Sequence, residues 1–323
     1  MNKKILCVFA AIIFLITVFP NISSIEIIKS QNFETVENGK EYWALLIAVG
    51  VYLNNPEQDR PSMLVKIEEL FDTLKESKNW QEENIYKITG EDATYKNIIN
   101  GFSWLDEHEG QGDLSLVYIT THGISPGFDL PPFDEEDNSD EALVPYEGFD
   151  KSFNLLWDDK LNNLLNKLES DGVCLIVDSC HSGGFNDMKN IKTSTKSKNY
   201  NSKTFLKGFL KDISKQNRII LMSSEEDSLS YGSIFSHHLI YGFKGQADYN
   251  TDKIVTAEEA FNYTKNFFTY NTKQKPTILD NYPGEFPVIN NNNLIQNNNK
   301  NKIKHSFYDI IKEKIELFFT RFL

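Results

Sequence analysis

Apolar residues recur along this chain in two rhythms. Strand-length apolar runs occupy "YWALLIAVGVY" (42–52), "LSLVYITTHG" (114–123), "VCLIVDSC" (173–180) and "RIILMSS" (218–224), with a shorter strand pattern at "NIYKIT" (84–89). Between them, "SMLVKIEELFDTLKES" (62–77) has apolar residues at 63, 64, 67, 70, 71 and 74, the spacing of one helix face. The segments 93–108, 156–170, 233–243 and 256–268 predict further helices, the second carrying Leu161, Leu164, Leu165 and Leu168. Strands that are apolar on both faces and alternate with helices predict an α/β fold, a parallel sheet covered on both sides. No internal repeat is visible.

Three segments break the rhythm. Residues 124–148 are rich in Pro, Gly and acid; 186–204 are polar and lysine-rich; 290–302 are asparagine-rich and read as a linker. Beyond the linker, "HSFYDIIKEKIELFFTRFL" is amphipathic at helical spacing, which predicts a docked helix or contact with a membrane surface. At the other end, "MNKK" precedes the apolar core "ILCVFAAIIFLITVF" and the break "PNISS". That is the build of an export signal, and the core is short for a membrane span, which takes about 20 apolar residues. The predicted organisation is a signal peptide (1–24), one domain (25–289), a linker (290–303) and a terminal helix (304–323), in a secreted or cell-surface protein.

Composition narrows the partners. The 323 residues are 40% hydrophobic and 24% charged, ordinary for a globular chain. The net charge of −13 argues against nucleic acid, whose phosphates need a basic face. Of three cysteines, Cys7 falls in the signal. Cys174 and Cys180 share one strand pattern, ~20 Å apart at ~3.3 Å per residue, so they cannot pair with each other.

Two strands end in a reactive side chain followed by glycine. One ends at His122-Gly123, the other at Cys180-His181-Ser182-Gly183-Gly184. In open parallel sheets, ligands bind just beyond the carboxyl ends of the strands. A cysteine needs a base or a lowered pKa to attack at neutral pH, and a histidine from a neighbouring strand end can supply the base. His181 alternates to the opposite face from Cys180; His237 and His238 fall in a helix; His108 sits among acids; His305 lies past the linker. His122 is the remaining candidate, and Gly123 behind it allows close backbone approach to an oxyanion.

These pieces, in this order, resemble a caspase-fold cysteine peptidase on the metacaspase and paracaspase side of that superfamily. "YWALLIAVGVY", "EDATYKNIINGFSWLDEHEGQGDLSLVYITTHG", "DEALVPYE", "CLIVDSCHSGG", "RIILMSSEEDSLS" and "QADYNTDKIVTAEEAFNY" carry the likeness over roughly 42–290. His122 precedes Cys180 by 58 positions (122 to 180), near the caspase spacing of about 50. The resemblance implies a three-layer αβα sandwich around a mostly parallel six-stranded sheet. It implies Cys180 as nucleophile, His122 as proton carrier, and the N–H groups of Gly123 and Cys180 as oxyanion donors. Asp178, with the strand parity of Cys180, would recognise Lys or Arg before the scissile bond of a peptide or protein substrate. The sequence departs from metacaspases where a second pocket acid is usual: Lys66 falls near that place, with Glu68 or Asp59 as substitutes, so a legumain-like preference for Asn stays open. Family members often carry a cleavable linker after the catalytic strand, which makes Lys189, Lys192, Lys196, Lys198 and Lys203 candidate self-cleavage points. A binding module without catalysis and a transpeptidase are the other readings.

A second motif is independent of the first. "DYNTDKIVTAEE" (248–259) has the spacing of a twelve-residue calcium loop. Asp248, Asn250, Asp252, Thr256 and Glu259 take positions 1, 3, 5, 9 and 12, with the Ile254 carbonyl at 7. Lys253 stands where a glycine is usual. The acidic run "DEEDNSDE" (134–141) is a looser calcium candidate and reads first as a solvated loop. No organic cofactor is expected.

Overall fold

The computed structural model describes residues 39–124, 140–181, 213, 215–223, 233–268 and 274–290, with Cys180 and His181 described by their backbone. The export segment, the 186–204 loop, most of the linker and the C-terminal helix lie outside the described residues. So do 134–139 of the acidic run; its last two residues, Asp140 and Glu141, are buried rather than solvated.

Among the described residues six strands form the continuous sheet, in the order β2-β1-β3-β6-β7-β9. They are β1 (Tyr42–Ala48), β2 (Ile85–Thr89), β3 (Leu114–Ile124), β6 (Gly172–His181), β7 (Arg218–Met222) and β9 (Thr277–Asp280). All neighbours run parallel except β9, which is antiparallel to β7. Two short strands, β4 (Ala142–Leu143) and β5 (Leu156–Trp157), hang from the end of β3, and β8 (Ile254–Thr256) pairs with β10 (Pro287–Asn290) in a separate two-stranded sheet. The mostly parallel sheet between helices is the expected caspase-like α/β architecture.

Strand alternation splits the core into two layers. Leu45, Ile47, Val117, Ile119, Leu175 and Val177 pack on one face with Phe102 and Leu105 of α2 (Tyr95–His108) and Leu161 and Leu164 of α3 (Asp158–Leu165). Their neighbours Ala44, Leu46, Leu116, Tyr118, Cys174 and Ile176 pack on the other face. There they meet Ile67 and Leu70 of α1 (Ser62–Lys75), Phe235 of α4 (Ile234–Tyr241) and Phe261 of α5 (Ala257–Lys265). Both sets are apolar, which is why the strands read as unbroken runs. Among the described residues no helix is long and apolar enough to cross a membrane.

The element boundaries differ from the periodicity in instructive ways. The first apolar run stops being a strand at Ala48, because Gly50 takes φ +64° and turns the chain across the strand ends. The helix expected over 156–170 is cut at both ends. Leu156 and Trp157 pair with β4, and beyond Leu165 the chain is held by Glu109, which accepts from the Glu169 N–H at 2.8 Å and from the Ser170 hydroxyl. Asn290, grouped with the linker by composition, closes β10, and its N–H donates to Ser77 Oγ at 2.8 Å.

Candidate functional site

β3 and β6 are the two central strands, and they are the longest. Their parallel register pairs Thr120 with Asp178, Thr121 with Ser179, His122 with Cys180 and Gly123 with His181. His122 and Cys180 are therefore neighbours at the carboxyl end of the sheet, where ligands bind in parallel α/β folds. Gly123 also pairs with Leu143 of β4, so it lies between two strands. Cys174, six positions before Cys180 on the same strand, is a free, buried thiol; burial, with Glu258 adding to it, holds its pKa well above the ordinary range. It is a packing residue rather than a nucleophile.

His122 is 1% exposed. Its Nε2 lies 2.8 Å from the backbone carbonyl of Gln58. A carbonyl only accepts, so Nε2 carries the proton and Nδ1 of the neutral ring keeps its lone pair. Among the described residues Nδ1 has no hydrogen-bond partner. Burial lowers the His122 pKa to about 4, opposed by the Gln58 carbonyl and assisted by the Arg60 charge. The ring is thus a neutral base at physiological pH.

Three aromatic and polar neighbours fix it. Tyr52 and Phe149 stand 5.1 and 5.8 Å away, centroid to centroid. The Tyr52 hydroxyl accepts the His122 backbone N–H at 3.1 Å and is 3.0 Å from Thr121 Oγ1. The His122 carbonyl in turn accepts the Val144 N–H at 2.9 Å. Gln58, Tyr52 and Phe149 were not legible as site residues. Gln58 acts through its backbone, which leaves no trace in residue type. Tyr52 is the polar-tipped aromatic that closes the first apolar run, and that position was its one signal.

Asp178 is buried. Ser223 Oγ donates to its Oδ1 at 2.8 Å, and the Ser236 N–H donates to its Oδ2 at 3.2 Å. The Ser236 hydroxyl also donates to Oδ2. Burial raises the Asp178 pKa, and the Ser236 and Ser223 hydrogen bonds pull the other way. Ser236 Oγ also lies 2.7 Å from the Tyr118 hydroxyl, so β3, β6, β7 and α4 meet in one polar network. Asp59 accepts the Tyr52 N–H at 2.9 Å and Glu68 pairs with Lys87. Lys66 pairs with Glu69 at 2.9 Å, with its Nζ 3.3 Å from His237 Nδ1. His238 stacks on Phe267 with centroids 3.8 Å apart, a packing role.

The loop 248–259 is folded on itself. Asn250 Oδ1 accepts the Asp252 N–H at 2.9 Å, and Asp252 Oδ1 accepts the Ile254 N–H at 2.8 Å. Thr256 and Glu259 form a reciprocal capping box at the start of α5.

A family model described as the caspase domain matches residues 41–286. No curated protein matches the sequence. Among solved structures, protein GSU0716 from Geobacter sulfurreducens is similar, at 17% identity and a TM-score of 0.49, covering 74% of this chain and 92% of its own.

Proposed function

The chain belongs to the caspase-domain family, and from that premise we propose that it is a cysteine endopeptidase with Cys180 as nucleophile and His122 as proton carrier. The observation that carries the reading is the register pairing of His122 with Cys180 together with a neutral, buried imidazole whose Nδ1 has no hydrogen-bond partner among the described residues. In this reading the Cys180 thiol proton passes to Nδ1 as Sγ bonds to the scissile carbonyl carbon. The carbonyl electron pair moves to oxygen, where the N–H groups of Gly123 and Cys180 receive it. On collapse, the C–N bond breaks and the imidazolium gives its proton to the departing amine. Water then attacks the thioester, His122 takes its proton, and the thiol is restored. The Gln58 carbonyl holds Nε2–H and so keeps the lone pair on Nδ1 throughout.

Asp178 supplies the preference for Lys or Arg in this reading, as a buried carboxylate two residues before the nucleophile. Export, attachment of the terminal helix to a membrane surface, and self-cleavage among the lysines of 186–204 complete it. A second reading, cleavage after Asn, draws on the fact that Asp178 already accepts three protein donors. A neutral carboxamide would then meet a pocket whose charge is largely satisfied.

The test is hydrolysis of fluorogenic peptides ending in Arg, Lys, Asn or Asp, under reducing conditions, beside Cys180→Ala. Cleavage after Arg or Lys that disappears with Cys180→Ala is the expected result. Cleavage after Asn keeps the nucleophile and discards the role of Asp178. Absence of cleavage on every peptide, with the 186–204 loop intact, would leave a binding module in place of an enzyme.

A further inference from the structure

Asp248 opens the loop between α4 and α5. It is 8% exposed, and among the described residues its Oδ1 is buried without a hydrogen-bond partner. Burial and the Asp252 charge raise the pKa of this carboxyl, and the backbone N–H groups of Thr251, Lys253 and Asp252 pull the other way. A buried, unpaired carboxylate oxygen is costly, and a cation is one of the few things that offset it.

The remaining positions of the loop supply the other oxygens. Asn250 and Asp252 follow at alternate residues, then the Ile254 carbonyl, the Thr256 hydroxyl and the Glu259 carboxylate. The backbone conforms as well. Lys253, at the sixth position, takes φ +75°, the left-handed conformation that glycine ordinarily supplies there. The segment Ile254–Thr256 is a strand, and Thr256 caps the helix that carries Glu259. From these placements we propose that residues 248–259 bind one calcium ion through Asp248, Asn250, Asp252, the Ile254 carbonyl, Thr256 and Glu259. Six or more oxygens with mixed carboxylate, amide and carbonyl character suit calcium better than magnesium, which keeps its waters and demands strict octahedral geometry.

As the loop stands, its oxygens are turned onto its own donors, and among the described residues no three acidic, histidine or cysteine side chains are gathered as a metal centre. Calcium must therefore draw Glu259 inward and exchange the Asn250 and Asp252 contacts for metal bonds. The carboxylates of Asp248, Asp252 and Glu259 already feel one another's charge, which a divalent cation relieves. The Lys253 charge opposes binding and keeps the affinity modest.

The site is separate from the peptidase reading, so the experiment uses the full chain carrying Cys180→Ala. Calorimetric titration with calcium chloride, after chelator treatment, is expected to show one site with a Kd of about 10⁻⁵ to 10⁻³ M, and magnesium at least tenfold weaker. Asp252→Asn, an exposed side chain whose change spares the fold, is expected to weaken calcium by tenfold or more. Lys253→Gly is expected to tighten it severalfold. Absence of calcium binding at ~10 mM overturns the proposal, since that is beyond the weakest sites of this type. So does binding that neither variant alters, or magnesium binding of equal strength. None of these outcomes bears on whether Cys180 cleaves peptides.

Discussion

His122 on β3 and Cys180 on β6 are register partners in a parallel ladder, although 58 positions (122 to 180) separate them in the chain. The pairing follows from two apolar strands at the centre of the sheet, each buried on both faces. A slip of one residue would move every side chain of β6 to the wrong layer and Cys180 with it. Core packing therefore sets the geometry of the candidate dyad.

Acid should weaken the fold through His122. Its folded pKa is about 4 against an ordinary 6.5. Between those values the unfolded chain binds a proton that the folded chain refuses. Stability therefore falls as pH drops from 6.5 towards 4, by up to about 3 kcal/mol, and levels off below. His238, held near 3 by burial, His237 and Lys66, acts in the same direction. Urea midpoints between pH 7 and 4 should decline less steeply for His122→Gln than for the natural chain. Parallel curves would show that His122 is not the titrating group.

The two contacts that orient His122 predict opposite outcomes. Gln58 uses its backbone carbonyl, so Gln58→Ala should leave peptide cleavage within about twofold. Tyr52 uses its hydroxyl, so Tyr52→Phe leaves the buried His122 N–H unpaired. It should cost about 1–3 kcal/mol in denaturant unfolding and slow turnover. Strong loss in Gln58→Ala would mean that its side chain has a role of its own.

Ser236→Ala tests the network around Asp178. The change removes one hydroxyl donor to the carboxylate and the partner of the Tyr118 hydroxyl. A carboxylate with fewer donors ionises less readily, so the Asp178 pKa rises further. If Asp178 reads the substrate, the acid limb of the pH profile for Arg peptides should move to higher pH. An unmoved limb with lowered stability would confine Asp178 to a structural role.

Phe102→Ala tests the layer under α2. Phe102 is 2% exposed and packs in the cluster that includes Leu45 and Val117. Loss of about 3–5 kcal/mol is expected by chemical denaturation. A cost under about 1 kcal/mol would mean that the layer collapses around the gap.

Much of this molecule was legible in advance. Runs such as "LSLVYITTHG" and "VCLIVDSC" had to be strands buried on both faces, since neither tolerates water on either side. The helix α2 carries its own cap, with Thr94 just before it accepting the Asn97 N–H at 3.2 Å. β9 and β10 leave no signature in the sequence because each is four residues long and half-covered, too short for any period to show.

By itself, the sequence determined which residues are apolar and at what spacing, and hence the strands, the helices and the reactive side chains at two strand ends. Those are local properties of residue type and rhythm. Tertiary structure decided that β3 lies beside β6 and that His122 is the register partner of Cys180. It also decided that a Gln58 carbonyl selects the tautomer, and that Ser223 and Ser236 surround Asp178. These relations join residues distant in the chain, through backbone groups and hydroxyls that every sequence carries, so only the packed sheet could choose among them.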